Sequence, residues 1–61
     1  MPLITVKTLE DKTVEQKRGL AKDITEAVVK NFGVAPEAVH IDIIEYSKAN
    51  IANAGKLFLD R

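Results

Sequence analysis

The chain reads as an α/β (α+β) protein: a single βαβ unit with parallel strands and a short C-terminal hairpin or loop. Three observations predict this. Two apolar-rich runs of strand length, Leu3–Leu9 and Val39–Tyr46, flank a stretch whose apolar residues recur at helical spacing. That stretch carries its own start and stop signals. A strand–helix–strand order is a crossover connection, and such crossovers are right-handed and join parallel strands. Residues 1–61 are expected to form one domain.

The first strand runs from about Leu3 to Leu9. Ile4 and Val6 share one face; Leu3, Thr5, Lys7 and Leu9 share the other. Asp11-Lys12 reads as a turn. Thr13 opens the helix, because Thr13-Val14-Glu15-Gln16 fits a capping box in which the Thr13 hydroxyl meets an early N–H and Gln16 reaches back. Glu15 suits the positive end of the helix dipole. Leu20, Ala21, Ile24, Ala27, Val28 and Phe32 then form one apolar stripe, with Lys17, Arg18, Lys22, Asp23, Glu26 and Lys30 largely off it. Gly19 weakens the helix by about 1 kcal/mol relative to alanine. Gly33 is the stop, a residue free to take the left-handed conformation just past the last turn. Val34–Glu37 connects, with room for one short helical turn. In the second strand, Val39, Ile41 and Ile43 face one way and His40, Asp42, Ile44 and Tyr46 the other. After Ser47 the small and turn-forming residues from Ala49 to Gly55 predict a loop with a short hairpin, leading to a tail, Lys56–Arg61.

Size sets the next constraint. A chain of 61 residues buries only about 60% of the surface its unfolded form exposes. Small folds compensate with disulfides, metals or oligomerisation. There is no cysteine and only one histidine, His40, so disulfides, thiolate sites and histidine-rich metal sites are excluded. A two-stranded sheet is marginal alone and has two open edges. The helix covers one face, while the other, with Leu3, Leu9, Ile44 and Tyr46, is too apolar for water. An obligate homo-oligomer, pairing edges and stacking bare faces, is therefore expected. Nine basic residues balance nine acidic ones, so no nucleic-acid partner is expected, since that role needs a basic excess. No apolar run reaches the roughly 20 residues that span a bilayer, so no membrane partner is expected either. The N-terminus lacks a signal-peptide pattern, and the expected location is the cytoplasm.

Elimination narrows the chemistry. There is no phosphate-binding glycine motif and no cysteine nucleophile, and Ser47 has no patterned histidine and acid beside it. Glu10 and Asp11 read as turn residues, and Asp42 and Glu45 as strand-surface charges. What remains is the N-terminal amine at Met1-Pro2, the basic residues near strand ends and the apolar surface. Aminopeptidases remove an initiator methionine when the next side chain is small. Removal leaves Pro2 as a secondary amine on a rigid ring at the head of a strand, a group suited to general acid–base work if its pKa approaches the working pH.

Pro2 opening a strand, Leu9-Glu10, Thr13-x-x-Gln16-Lys17, the strand Val39–Glu45 and the Asn50…Gly55 segment together resemble the 4-oxalocrotonate tautomerase (2-hydroxymuconate tautomerase) family over nearly the whole chain. The resemblance implies a tautomerase-like fold, a homohexamer built as a trimer of dimers, and a cofactor-independent isomerase. In that family a free N-terminal proline takes a proton from an enol, or from carbon beside a carbonyl, and returns it at another carbon. Pro2 falls on that position. The family commonly has an arginine for the substrate carboxylate where this chain has Lys12, which keeps the charge without the planar two-pronged donor. A second family arginine, which polarises the substrate carbonyl, aligns with His40. The aromatic wall of the pocket aligns with Ile51.

The expected function is thus proton transfer in a 2-hydroxy-dienoate or related enol/keto acid. Pro2 is the acid/base, and Lys12, His40 and Ile51 bind substrate, with Lys12 and His40 drawn from different subunits. No cofactor is implied. The alternative is a catalytically weakened family member that serves as an oligomeric binding or structural module, as the three substitutions and a retained Met1 would favour. Hydration of an activated alkene acid on the same scaffold has no specific support in the residues.

Overall fold

The computed structural model describes residues 1–61. Strand β1 is Leu3–Leu9, helix α1 is Val14–Phe32, and strand β2 is His40–Tyr46. A two-residue antiparallel hairpin follows, β3 (Ala52–Asn53) with β4 (Lys56–Leu57). Single 3-10 turns at Pro36–Ala38, Lys48–Asn50 and Phe58–Asp60 fill the connections and the end. β1 and β2 pair in parallel from Leu3↔His40 to Leu9↔Tyr46. The second strand starts one residue later than the residue pattern predicts, because Val39 closes the 3-10 turn by donating its N–H to the Pro36 carbonyl at 3.1 Å.

The helix signals act as read. Thr13 caps the start in an extended conformation, its hydroxyl accepting from the Gln16 N–H while the Gln16 side chain accepts from the Thr13 N–H. Gly33 ends α1 at φ 67° and donates to the Val29 carbonyl. The hairpin turns on Ala54 (φ 52°) and Gly55 (φ 77°), the paired positive φ values of a type I′ turn.

α1 lies over the face that carries Ile4, Val6, Ile41 and Ile43. These four are half-buried, whereas Leu3, Thr5, Lys7, His40, Asp42 and Ile44 on the opposite face are exposed. Lys17 of α1 reaches Glu45 of β2 at 2.7 Å across this layer. Phe32, read as part of the packed stripe, is instead 68% exposed at the end of the helix. It is the last residue of α1, and Leu20 and Ala27 of the same stripe are exposed too, because a lone chain has nothing further to lay over them.

The chain on its own has no interior. No residue is fully buried. The molecule is a slab of 44 × 23 × 13 Å with a radius of gyration of 14.8 Å, against about 10.5 Å for a compact chain of this length. Its accessible surface is 4707 Å², roughly 800 Å² more than size scaling gives for a folded monomer. Leu3 at 73% and Ile44 at 39% exposure lie on the uncovered sheet face.

Candidate active site

Pro2 and His40 meet at the head of the sheet. The register sets this, since the Leu3↔His40 pair makes the His40 N–H donate to the Pro2 carbonyl at 3.0 Å. The bond fixes the carbonyl side of Pro2 and leaves its ring nitrogen outside the ladder. Pro2 is half-buried, and the preceding Met1 is 80% exposed. While Met1 is attached, the Pro2 nitrogen is a tertiary amide without basicity; once it is free, the nitrogen is a secondary amine. The His40 side chain is exposed on the uncovered face, beside Asp42 two residues on. An Asp42 carboxylate oxygen (Oδ1) accepts from the Thr5 hydroxyl at 2.9 Å.

Lys12 and Ile51 lie at the other end. The Glu10 N–H donates to the Tyr46 carbonyl at 3.0 Å, extending the ladder one step past β1. The Asp11 N–H then donates to the Leu9 carbonyl at 3.0 Å and turns the chain. Lys12 Nζ donates to Asp11 Oδ1 at 2.6 Å. This hydrogen bond is the main cause holding the Asp11 carboxyl below the usual carboxylate range, and the charges of Lys12 and Lys48 act in the same direction. Lys12 lines an open groove of ≈ 300 Å³ with Val6, Thr8, Gln16, Lys17, Leu20 and Ile43. Ile51 lines another of ≈ 510 Å³ with Lys7, Thr8, Leu9, Tyr46 and Asn50.

Neither groove includes Pro2 or His40. The strand between the two ends advances about 20 Å at 3.3 Å per residue. One chain therefore joins Pro2 and His40 through their backbones alone, and brings neither of them near Lys12 or Ile51.

Two further groups order the Ile51 segment, and the residue pattern singles out neither. The Phe58 N–H donates to the Ile51 carbonyl at 3.0 Å. Arg61 Nη2 donates to the Asn53 carbonyl and to Asn53 Oδ1, both at 2.9 Å, with its guanidinium 4.9 Å from the Phe58 ring centre. The aromatic-x-x-arginine spacing at the end of the chain is the one signal that points to them. No three His, Cys, Asp or Glu side chains group as a metal set would, and no helix is long and apolar enough to cross a membrane.

The sequence profile of the family described as "Tautomerase enzyme" matches residues 2–61. Among curated relatives, a probable tautomerase (bsl7456) of Bradyrhizobium diazoefficiens is 48% identical over 61 residues, covering all of this chain and 91% of the relative. The 2-hydroxymuconate tautomerase of Bacillus subtilis is 45% identical over 60 residues, covering 98% and 97%. Among solved structures, YwhB, described as a homologue of 4-oxalocrotonate tautomerase, superposes with a TM-score of 0.92 at 43% identity, covering 98% of each chain. A heterohexamer 4-oxalocrotonate tautomerase from Chloroflexus aurantiacus superposes with a TM-score of 0.89 at 27% identity, covering 98% and 97%.

Proposed function

This chain belongs to the tautomerase family, and on that premise we propose that it moves a proton in a 2-hydroxy-dienoate or related enol/keto acid, with the Pro2 amine as acid and base. The observation that carries the reading is Pro2 itself: half-buried, at the head of β1, and tied to His40 by a 3.0 Å backbone bond. No other nucleophile or base in the chain has comparable support.

The step needs only proton transfer. With Met1 removed, the Pro2 nitrogen takes the enol proton, and electron density moves along the conjugated system to a distal carbon. The resulting ammonium returns a proton there, leaving the keto acid. His40 donates a hydrogen bond to the substrate oxygen on which charge builds, a contribution worth a few kcal/mol in a dry site. Lys12 holds a carboxylate, and Ile51 closes the apolar wall. No cofactor takes part.

The site is composite in this reading. Lys12 and Ile51 sit a strand length from Pro2 in their own chain, so copies from neighbouring subunits complete the set. A homohexamer, built as a trimer of dimers, is the assembly proposed. The uncovered sheet face, the absence of buried residues and the surplus surface, close to what one partner gives to a standard interface, all support self-association. The Chloroflexus aurantiacus relative, described as a heterohexamer, supports a six-chain arrangement for this fold.

Two measurements test the reading together. Intact mass of cell-expressed protein is expected to lack Met1. An ultraviolet assay with 2-hydroxymuconate and phenylenolpyruvate is expected to show turnover that Pro2→Ala reduces by at least about 100-fold, the lower range for one acid–base group. Equal rates for both proteins, with Met1 gone from each, would leave the weakened binding module as the correct description.

A further inference from the structure

The residue beside Lys12 bears on which substrates the site accepts. Asp11 occupies Lys12 Nζ at 2.6 Å. It also lines a groove with Lys48, whose charge is a further, smaller influence keeping it ionised. The backbone fixes it in place through the Asp11 N–H bond to the Leu9 carbonyl. A substrate carboxylate arriving at Lys12 therefore meets an ammonium already paired with an anion.

We propose that Asp11 is a specificity-determining residue that offsets the Lys12 charge and shifts the site from dicarboxylates toward monocarboxylate enol/keto acids. This rests on the reading of Lys12 as the carboxylate-binding group. The physics is simple Coulomb competition. A distal carboxylate bound to Lys12 sits within about 5 Å of the Asp11 carboxylate, and the repulsion amounts to about 3- to 10-fold in affinity for partly solvated charges. A lysine feels this more than an arginine, because two carboxylates must crowd one compact ammonium, whereas a guanidinium can take them on separate nitrogens. Glu10 adds a further negative charge one residue before Asp11. A ligand whose distal end is a methyl or a ring meets no such repulsion.

The experiment is a calorimetric titration with two unreactive probes of similar length, muconate (a dianion) and sorbate (a monoanion). It is run on the Met1-free oligomer of the parent, Asp11→Asn, Lys12→Gln and the double variant. Asp11→Asn is expected to tighten muconate by about 3- to 10-fold and to leave sorbate within about 2-fold. In the Lys12→Gln background the same change is expected to have less than half that effect. Asp11→Glu, which restores the charge, is expected to restore parent discrimination. Unchanged muconate affinity in Asp11→Asn would overturn the proposal. So would equal tightening of both probes, or equal tightening with and without Lys12. Binding is read without turnover, so loss of catalysis in Pro2→Ala bears on the function while these titrations bear on Asp11.

Discussion

In the proposed reading Pro2, His40, Lys12 and Asp11 meet the substrate, and each is legible in the residues to a different degree. Pro2 stands out because few other groups could do chemistry. Its neighbour does not: only the Leu3↔His40 register makes the His40 N–H a donor to Pro2, and a one-residue slip would send His40 to the other face. The Asp11–Lys12 contact is hidden for a different reason. Glu10, Asp11 and Glu15 all lie near Lys12 in the chain, and the turn geometry alone selects among them. A replacement at the two substituted positions gives a clear prediction. Lys12→Arg with His40→Arg is expected to raise kcat/KM for 2-hydroxymuconate by roughly 10-fold or more, since each arginine adds a charge-assisted bidentate contact. Steady-state kinetics check it, and an unchanged value would remove both residues from the pocket. The lowered Asp11 carboxyl has a pH consequence of known sign. A depressed acid stabilises the fold above its unfolded pKa, and that contribution disappears as pH falls through the folded pKa. Denaturation midpoints are therefore expected to be insensitive to pH around neutrality as far as Asp11 is concerned. Any Asp11-dependent loss is confined to acid, at and below the ordinary carboxylate range, and a comparison with Asp11→Asn reads it.

At the level of elements, the caps are readable because their causes are local, while the periodicity sets the elements but not their last residues: β2 starts at His40 and Phe32 lies uncovered. The Thr13 box, the Gly33 stop and both long strands follow from spacing and side-chain chemistry. The end of the chain is less so. A hairpin of two-residue strands has little pattern, and the Phe58–Arg61 staple depends on a fold-back that spacing alone does not force. Glycine substitutions separate the two kinds of position. Gly19 is mid-helix, and a methyl group added there would meet nothing within 4 Å, so Gly19→Ala is expected to stabilise by about 0.5–1 kcal/mol. Gly33 has equal space but sits at φ 67°, so Gly33→Ala is expected to cost about 1 kcal/mol or more. Ala54 is the reverse case, a non-glycine residue at φ 52° in the hairpin turn. Ala54→Asn supplies the residue such turns prefer and is expected to gain roughly 0.5–1 kcal/mol. Chemical denaturation ranks all three, and the same sign for Gly19→Ala and Gly33→Ala would contradict the backbone account.

The whole molecule is where composition speaks most plainly and where a single chain explains least. Sixty-one residues without cysteine predict a fold that cannot stand alone, and the slab with no buried residue is what that constraint produces. Its helix face is half-covered; its other face offers Leu3, Leu9, Ile44 and Tyr46 around the Thr5–Asp42 hydrogen bond. If copies of the chain cover that face, stability and assembly are one equilibrium. Melting temperature is then expected to rise with protein concentration, and light scattering at micromolar concentration is expected to give a mass several times 6.7 kDa. Ile44→Asp tests the face directly. Ile44 is 39% exposed in the lone chain and lies across from Lys7 in the ladder, so an aspartate there costs little in a monomer. Inside an interface it becomes a buried carboxylate, and the penalty after relaxation is several kcal/mol per ion. With identical copies of the face meeting, each interface carries that cost more than once. The variant is expected to sediment as a smaller species, lose cooperative unfolding and lose turnover together, because Lys12 and Ile51 can no longer reach a neighbour's Pro2. An Ile44→Asp protein that keeps the parent mass would show that other surfaces hold the assembly, and one that falls to monomers yet keeps full activity would show that a single chain completes its own site.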